Sequence, residues 1–284
     1  GVIFIYEYLT RGSLNSIFHQ YAGYIHFFPR IFTIISIELS EMFGMGLQLT
    51  PLIMNLLAIF TGVLCVFYLL SSDFDWLSSF RARVLSVIAI ITVPTIYEIF
   101  GNITNIQWWF GVFQFLVTLY VWKHKKFPSW PVMTLFILSG LSGPMIIVPA
   151  FLIFVILSYK LYQERQLHPR SWIIGLAVVL VALFQVNISL ENRAVSPESS
   201  FSLRNFLIYY PRVFFISIFD RLFFWKYQEF VQYLLIPTSL LIGMVIFLIV
   251  YYLNIHQKKL FTFSIIYIVL SLALTYYGAF PYFF

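Results

Sequence analysis

Long apolar runs alternate with short polar segments along most of this 284-residue chain. Six runs approach the roughly 20 residues that a helix needs to cross a bilayer core of about 30 Å. They are residues 51–71, 84–98, 108–122, 172–188, 233–254 and 260–279. The pattern predicts an all-α fold, a polytopic bundle of transmembrane helices.

A longer apolar block, residues 131–159, is interrupted by the segment SGLSGP at residues 139–144. Pro144 lacks an amide hydrogen and clashes with the preceding turn, so it breaks a helix. We expect two half-length helices that form a hairpin and return to the side from which they entered. Such a break is tolerated at membrane depth only where protein or water covers the freed backbone groups.

With this hairpin, basic residues concentrate in the loops on one side of the membrane. Loops 72–83, 123–130, 160–171 and 255–259 carry ten of the 17 basic residues and three of the 11 acidic residues. The opposite face holds seven basic and eight acidic residues. By the positive-inside rule the first set of loops is cytoplasmic. A single crossing at 131–159 would invert every later loop and mix the charges.

The non-cytoplasmic face then holds residues 1–50, the turn 98–107 and the loop 189–232. Polar and apolar positions are mixed within the first and last of these segments, and we expect helices that lie in the membrane interface. The sequences concerned are IYEYLTRGSLNSIFHQ, IFTIISIELSEMFG and SFSLRNFLIYYPRVFFISIFDRLFFWKYQEF. We therefore predict one transmembrane domain over residues 1–284.

Composition agrees with a membrane protein. Hydrophobic residues make up 61% and charged residues 10% of the chain, and the mean hydropathy is +0.90. A soluble domain averages roughly 45–50% apolar and about 25% charged residues, so this chain could not cover its surface with polar groups. We interpret the net charge of +6 as an orientation signal and not as a nucleic-acid-binding surface. Because the chain starts at Gly1 and ends in an aromatic run, we expect at least one span before residue 1 and more sequence after residue 284.

Several kinds of site have no motif in this sequence. There is no glycine-rich phosphate loop, no HExxH, no GxSxG and no cysteine pair. The single cysteine, Cys65, lies inside an apolar run, so neither a disulfide nor a thiolate metal site is supported. We predict no metal ligands, and whether a divalent metal assists as a cofactor stays open.

Polar residues from three separate segments share the non-cytoplasmic face. They are Glu7, His26, Arg30, Glu38 and Glu41, then Glu98, Asn102, Asn105, Gln107 and Trp108, then Arg204, Arg212, Asp220 and Arg221. Ionisable groups at or near membrane depth are costly and by default indicate function. Each residue taken alone is better explained by snorkelling arginines paired with glutamates. Convergence of three segments on one face favours a site.

The stretch YAGYIHFFPR, residues 21–30, is the strongest part of this hypothesis. Pro29 suits a first helical turn, which leaves Arg30 near a helix amino terminus, where the dipole favours an anion. The guanidinium fork matches phosphate oxygens, and aromatic rings suit a sugar face or a prenyl tail. We predict donor-phosphate binding by Arg30, His26, Arg204 and Arg212, substrate binding by Tyr24, Glu98, Asn105 and Trp108, and general-base catalysis by Glu7.

The layout resembles the GT-C superfamily of integral membrane glycosyltransferases. YAGYIHFFPR, the NITNIQWW turn and the SGLSGP break are similar to poorly characterised bacterial proteins of that type. The resemblance implies a hexosyltransferase in the bacterial cytoplasmic membrane with its site on the external face. It also implies a polyprenyl-phosphate-linked sugar donor and inverting transfer to a hydroxyl of a cell-envelope glycan or another acceptor.

One departure concerns the catalytic acid. In that superfamily it is usually an aspartate just after the first span, whereas this chain has no aspartate before Asp73, in a predicted cytoplasmic loop. Either Glu7 takes the role or the acid precedes Gly1.

Two other functions stay open. A transporter or lipid flippase is favoured by the broken block 131–159, because discontinuous helices build midplane sites in transporters. Against it, no acidic or basic residue lies in the middle of a strong span, and there is no clear internal repeat. A non-catalytic scaffold would tolerate substitution of the external polar residues.

Overall fold

The computed structural model describes residues 2–21, 24–91, 101–165 and 168–193, together with Thr262 and Ile266. The chain forms two compact units, residues 1–195 and 196–284, and the described residues lie almost entirely in the first. Most of them are helical, which confirms the predicted helical class.

The described residues form nine helices and one short pair of strands. The helices are α1 Val2–Arg11, α2 Ser13–Ile17, α3 Phe27–Met42, α4 Thr50–Phe67, α5 Phe80–Ile91, α6 Ile106–His124, α7 Trp130–Gly140, α8 Ile147–Glu164 and α9 Pro169–Arg193. The strands β1 Gln20–Tyr21 and β2 Tyr24–Ile25 pair antiparallel. Short 3-10 turns cover Tyr68–Leu70, Ser72–Phe74, Ile103–Asn105 and Pro144–Ile146.

Three described helices are long and apolar enough to cross a membrane. They are Thr50–Leu70, Pro144–Glu164 and Pro169–Ile188. The first and third coincide closely with the predicted runs 51–71 and 172–188, and α6 contains the predicted run 108–122. The run 84–98 is described only as far as residue 91, and 233–254 and nearly all of 260–279 lie outside the described residues.

The 131–159 block is interrupted at SGLSGP, but its two parts are unequal. Helix α7 has 11 residues and α8 has 18, so the second is longer than the half-length helix expected from the sequence. The next proline, Pro149, lies in the first turn of α8. Amides there have no intrahelical acceptor, so the helix continues through Pro149 without losing a hydrogen bond.

Polar contacts gather four helix ends together. The Lys160 ammonium near the end of α8 donates to the Lys125 carbonyl after α6, at 3.0 Å. The Arg170 guanidinium at the start of α9 donates to the Pro128 carbonyl before α7. The SGLSGP break lies farther along α9, where the Gln185 amide donates to the Gly140 carbonyl at 2.9 Å. Fifteen residues separate these two points on α9, about 22 Å of helix.

Helices α4 and α6 approach closely at Gly62. A Cβ placed on Gly62 would lie 2.9 Å from two atoms of the Trp109 indole. Trp109 is buried, and α6 also packs against α7 and α8. This contact places the start of α6 beside the amino-terminal helices, because α3 packs on α4 as well.

Candidate functional site

Helices α1 and α3 bring Glu7 and Arg30 together. Residues three apart on a helix share a face, and α1 buries Phe4 and Glu7 in this way. Helix α3 buries Pro29, Arg30 and Thr33 near its start. The Arg30 guanidinium donates through Nη1 to the Glu7 carboxylate. Arg30 is 1% exposed and Glu7 9% exposed, so this ion pair is almost closed to solvent.

Two further side chains surround the ion pair. The guanidinium carbon of Arg30 lies 5.2 Å from the centre of the Phe4 ring, a cation–π geometry. The other carboxylate oxygen of Glu7 is 3.5 Å from Nε2 of His19. The carboxylate therefore has a basic neighbour on each oxygen, and neither Phe4 nor His19 is predicted as a site residue by the sequence.

Arg30 keeps two hydrogen-bond donors unused. Its Nε and Nη2 are buried and have no acceptor in the described part of the chain. Burial lowers the pKa of the Arg30 guanidinium, and the hydrogen bond that Arg30 donates to Glu7 partly opposes this shift. Unpaired buried donors are destabilising, so two acceptor atoms entering here would stabilise the site.

His26 lies inside a cluster of aromatic rings. Its imidazole is centred 4.2 Å from Tyr24, 5.3 Å from Phe4 and 5.5 Å from Tyr21. Burial first, and the Arg30 charge second, lower the pKa of His26 to about 3. His26 is therefore neutral at neutral pH. Although the sequence predicts it as a phosphate ligand, in this environment it brings a hydrogen-bonding group and no positive charge.

The SGLSGP break caps the amino terminus of α3. The Phe28 amide donates to the Ser142 hydroxyl at 3.0 Å, and the Phe27 amide donates to the Leu141 carbonyl at 3.4 Å. Ser142 is fully buried. First-turn amides are the groups that would bind an anion at a helix amino terminus. The first-turn amides of α3 are thus occupied by the protein itself, and anion binding by the Arg30 side chain stays a prediction.

The three segments that carry the family resemblance meet around Gly143. A Cβ placed on Gly143 would lie 3.4 Å from the Gln107 Cβ and 3.8 Å from the Tyr24 ring. The side-chain oxygen of Gln107 is buried and accepts no hydrogen bond from any described residue. Tyr24, Gln107 and Gly143 therefore bring the described parts of YAGYIHFFPR, NITNIQWW and SGLSGP into contact. Spacing along the chain gives no signal for this contact, because the segments are remote in sequence.

The other predicted site residues fall into two groups. Asn105 directly precedes α6 and is half-buried, and Trp108 is 40% exposed in the first turn of α6. Glu98, Arg204 and Arg212 lie outside the described residues. Within the described ranges, no cluster of three or more His, Cys, Asp or Glu side chains could hold a metal ion.

The site combines the Glu7 carboxylate, which is a candidate base, with the Arg30 guanidinium. The neutral polar side chains of His26 and Gln107 and several aromatic rings lie nearby. A phosphate reaches the spare donors of Arg30 only if Glu7, Phe4 or another covering side chain moves, because Arg30 is closed to solvent. The chain matches no protein-family model, and no curated protein and no solved structure matches it.

Proposed function

We propose that this chain is a membrane glycosyltransferase that moves a sugar from a polyprenyl-phosphate donor to an acceptor hydroxyl on the external face. The observation that carries the proposal is the buried Glu7–Arg30 pair with two unused guanidinium donors. It joins a candidate base and a candidate phosphate ligand in a chain with three helices long and apolar enough to cross a membrane. The resemblance of the layout to the GT-C superfamily adds support.

Donor binding would exchange the partner of Arg30. The donor phosphate takes the guanidinium, which binds phosphate oxygens through paired N–H groups, and Glu7 is released. Glu7 then accepts the proton of the acceptor hydroxyl as that oxygen attacks the anomeric carbon. The bond from this carbon to the phosphate oxygen breaks, and the polyprenyl phosphate leaves with its added negative charge facing Arg30.

The test is consumption of prenyl-phosphate sugars by the full-length protein in lipid nanodiscs. Glu7→Gln keeps the shape of the side chain but removes its basicity, and we expect turnover to fall by about 100-fold or more. Arg30→Lys keeps the charge but loses the planar fork, and we expect weaker donor binding. Glu38→Gln is the control for Glu7→Gln, since Glu38 is an exposed carboxylate on α3, the helix that carries Arg30.

Each variant is first compared with the parent by its unfolding temperature. Unchanged turnover in a folded Glu7→Gln protein would remove Glu7 from the catalytic role. Absence of donor consumption across a panel of hexose donors would reject the enzyme.

A flippase is the second candidate, and the broken α7–α8 segment favours it. The Gln114 amide donates to the Ser139 hydroxyl at 3.0 Å, and Gln185 donates to the Gly140 carbonyl. Both amide oxygens are buried and have no donor among the described residues. Polar groups beside a discontinuous helix are typical of transport sites. Transfer of a labelled prenyl-phosphate lipid between leaflets without consumption would support this function instead.

A further inference from the structure

Basic side chains and tryptophan rings are interleaved at one end of the described helical unit. We name this surface the basic end, and define it as the loops 72–83, 123–130 and 160–171 as far as they are described. The Lys160–Lys125 and Arg170–Pro128 hydrogen bonds join the last two loops. Lys123, 5.0 Å from the Trp76 ring centre, joins the first loop to them.

Each of the three loops contributes a tryptophan ring, a basic side chain or both to a cation–π pair. Besides Lys123 on Trp76, the Arg170 guanidinium lies 4.9 Å from the Trp130 ring centre, and the Lys125 ammonium 5.8 Å from the Trp122 ring centre. Tryptophan is enriched where a membrane protein meets the headgroup layer. Of these pairs, Arg170–Trp130 has its cation at the start of α9, one of the three described helices long and apolar enough to cross a membrane.

The acidic residues of the basic end are already engaged. Asp75 pairs with Arg83, Glu164 pairs with Lys160 at 3.6 Å, and Asp73 accepts a hydrogen bond from Tyr68. Five basic residues have no carboxylate within ion-pair distance in the described ranges. They are Arg81, Lys123, Lys126, Arg165 and Arg170.

Interaction with helix dipoles does not account for all of the unpaired basic residues. A basic residue stabilises a helix when it lies near the carboxyl end, which explains Lys125 and Arg165 at the ends of α6 and α8. Arg81 and Arg170 instead lie in the first turns of α5 and α9, where the dipole opposes a positive charge. An external anion is the partner that this surface lacks.

We propose that the basic end binds the headgroups of anionic phospholipids. A phosphate ester at the headgroup level meets both the cations and the tryptophan rings, while its acyl chains run along the apolar helices. Clusters of four to eight basic residues beside transmembrane helices attract anionic lipids, with about a fivefold preference for each residue. This inference does not depend on the proposed transfer reaction.

The experiment measures lipid selectivity of the full-length protein. The protein is equilibrated in bilayers with equal amounts of phosphatidylglycerol and phosphatidylcholine and extracted gently, and the retained lipids are counted by mass spectrometry. The parent retains more phosphatidylglycerol than phosphatidylcholine. In the triple variant Arg81→Gln/Lys126→Gln/Arg165→Gln the ratio of retained phosphatidylglycerol to phosphatidylcholine falls at least tenfold. All three side chains are exposed, and none makes an ion pair with a described residue.

A one-charge comparison controls for folding and for net charge. Lys126→Gln and Arg11→Gln each remove one exposed basic residue, and Arg11 ends α1, outside the basic end. Lys126→Gln lowers phosphatidylglycerol retention severalfold and Arg11→Gln does not, while both keep the parent's unfolding temperature in lipid-free detergent. If the triple variant unfolds, the comparison of Lys126→Gln with Arg11→Gln still tests whether the basic end binds anionic lipid.

Three outcomes would overturn the proposal. The first is equal retention of both lipids by the parent. The second is an unchanged preference for phosphatidylglycerol in both the triple variant and Lys126→Gln. The third is displacement of phosphatidylglycerol by inorganic phosphate at equal concentration. The last result would assign the surface to a free phosphate. Equal retention of both lipids would leave an acidic protein as the partner to seek.

Discussion

Glu7 and Arg30, 23 residues apart, form an ion pair whose arginine is 1% exposed. Removal of one partner leaves an uncompensated buried charge, and we expect Arg30→Ala to lower the free energy of unfolding by about 3–5 kcal/mol. The double variant Glu7→Ala/Arg30→Ala should lose less than the sum of the single losses. Denaturant unfolding in mixed micelles measures all three. Additive losses would show that the pair is not coupled.

The buried His26 makes stability depend on pH. Its pKa is lowered from 6.5 to about 3, so below pH 6.5 the unfolded chain binds a proton that the folded chain excludes. Stability is therefore full above pH 6.5 and falls as the pH is lowered from 6.5 towards 3, by about 1.4 kcal/mol per pH unit. His26→Phe should flatten this dependence, measured as the unfolding midpoint between pH 5 and 7. Tyr24→Phe, in the same ring cluster, should keep the slope of the parent.

Gly62 is required for the contact between α4 and α6. An alanine there would bring its methyl group to 2.9 Å from the Trp109 indole, and we expect Gly62→Ala to destabilise the protein by about 1–3 kcal/mol. At Gly111, within α6, the nearest atom to an added Cβ is 3.7 Å away. Gly111→Ala should therefore be neutral or stabilising by about 0.5–1 kcal/mol. Equal effects on thermal unfolding would argue against close packing at Gly62.

Ser142 stabilises the start of α3 by accepting the Phe28 amide hydrogen. Ser142→Ala leaves that amide unpaired, and we expect a loss of about 1–2 kcal/mol. Hydrogen exchange of the peptide around Phe28 should accelerate in the same variant. Ser86→Ala is the control, because the exposed Ser86 hydroxyl donates to the Ala82 carbonyl in its own helix and to no other described residue. Unchanged protection at Phe28 would show that the cap is not formed.

The apolar runs predict the helices well because length and hydropathy are local properties. Helix α4 and its following turn end within a residue of the predicted 51–71, and α6 extends the predicted 108–122 by two residues at each end. The position of the break in 131–159 was also predictable, since Gly and Pro act on their own turn. The unequal lengths of α7 and α8 were not predicted, because α8 runs on to Glu164, beyond the end of the apolar block at residue 159.

The partners within the candidate site were much less predictable. Glu7, Arg30 and His26 are each identifiable from residue type, but their pairing is set by how α1 lies on α3. The sequence favours Arg30 as a ligand for an external phosphate, whereas the structure gives it Glu7 as an internal partner. The cap on α3 comes from the SGLSGP segment, in which the sequence gives no sign of a contact with α3. Such contacts depend on tertiary packing, which periodicity along the chain does not encode.

The bond between Phe28 and Ser142 also sets an order of events during synthesis. It joins residues 114 positions apart, and a ribosome adds about 5–20 residues each second. The amino terminus of α3 therefore waits roughly 6–23 seconds for its cap. During that interval the start of α3 lacks this cap and relies on the contacts of α3 with α1, α2 and α4, so residues 27–30 are more open to proteolysis or to a chaperone until residue 142 has been made.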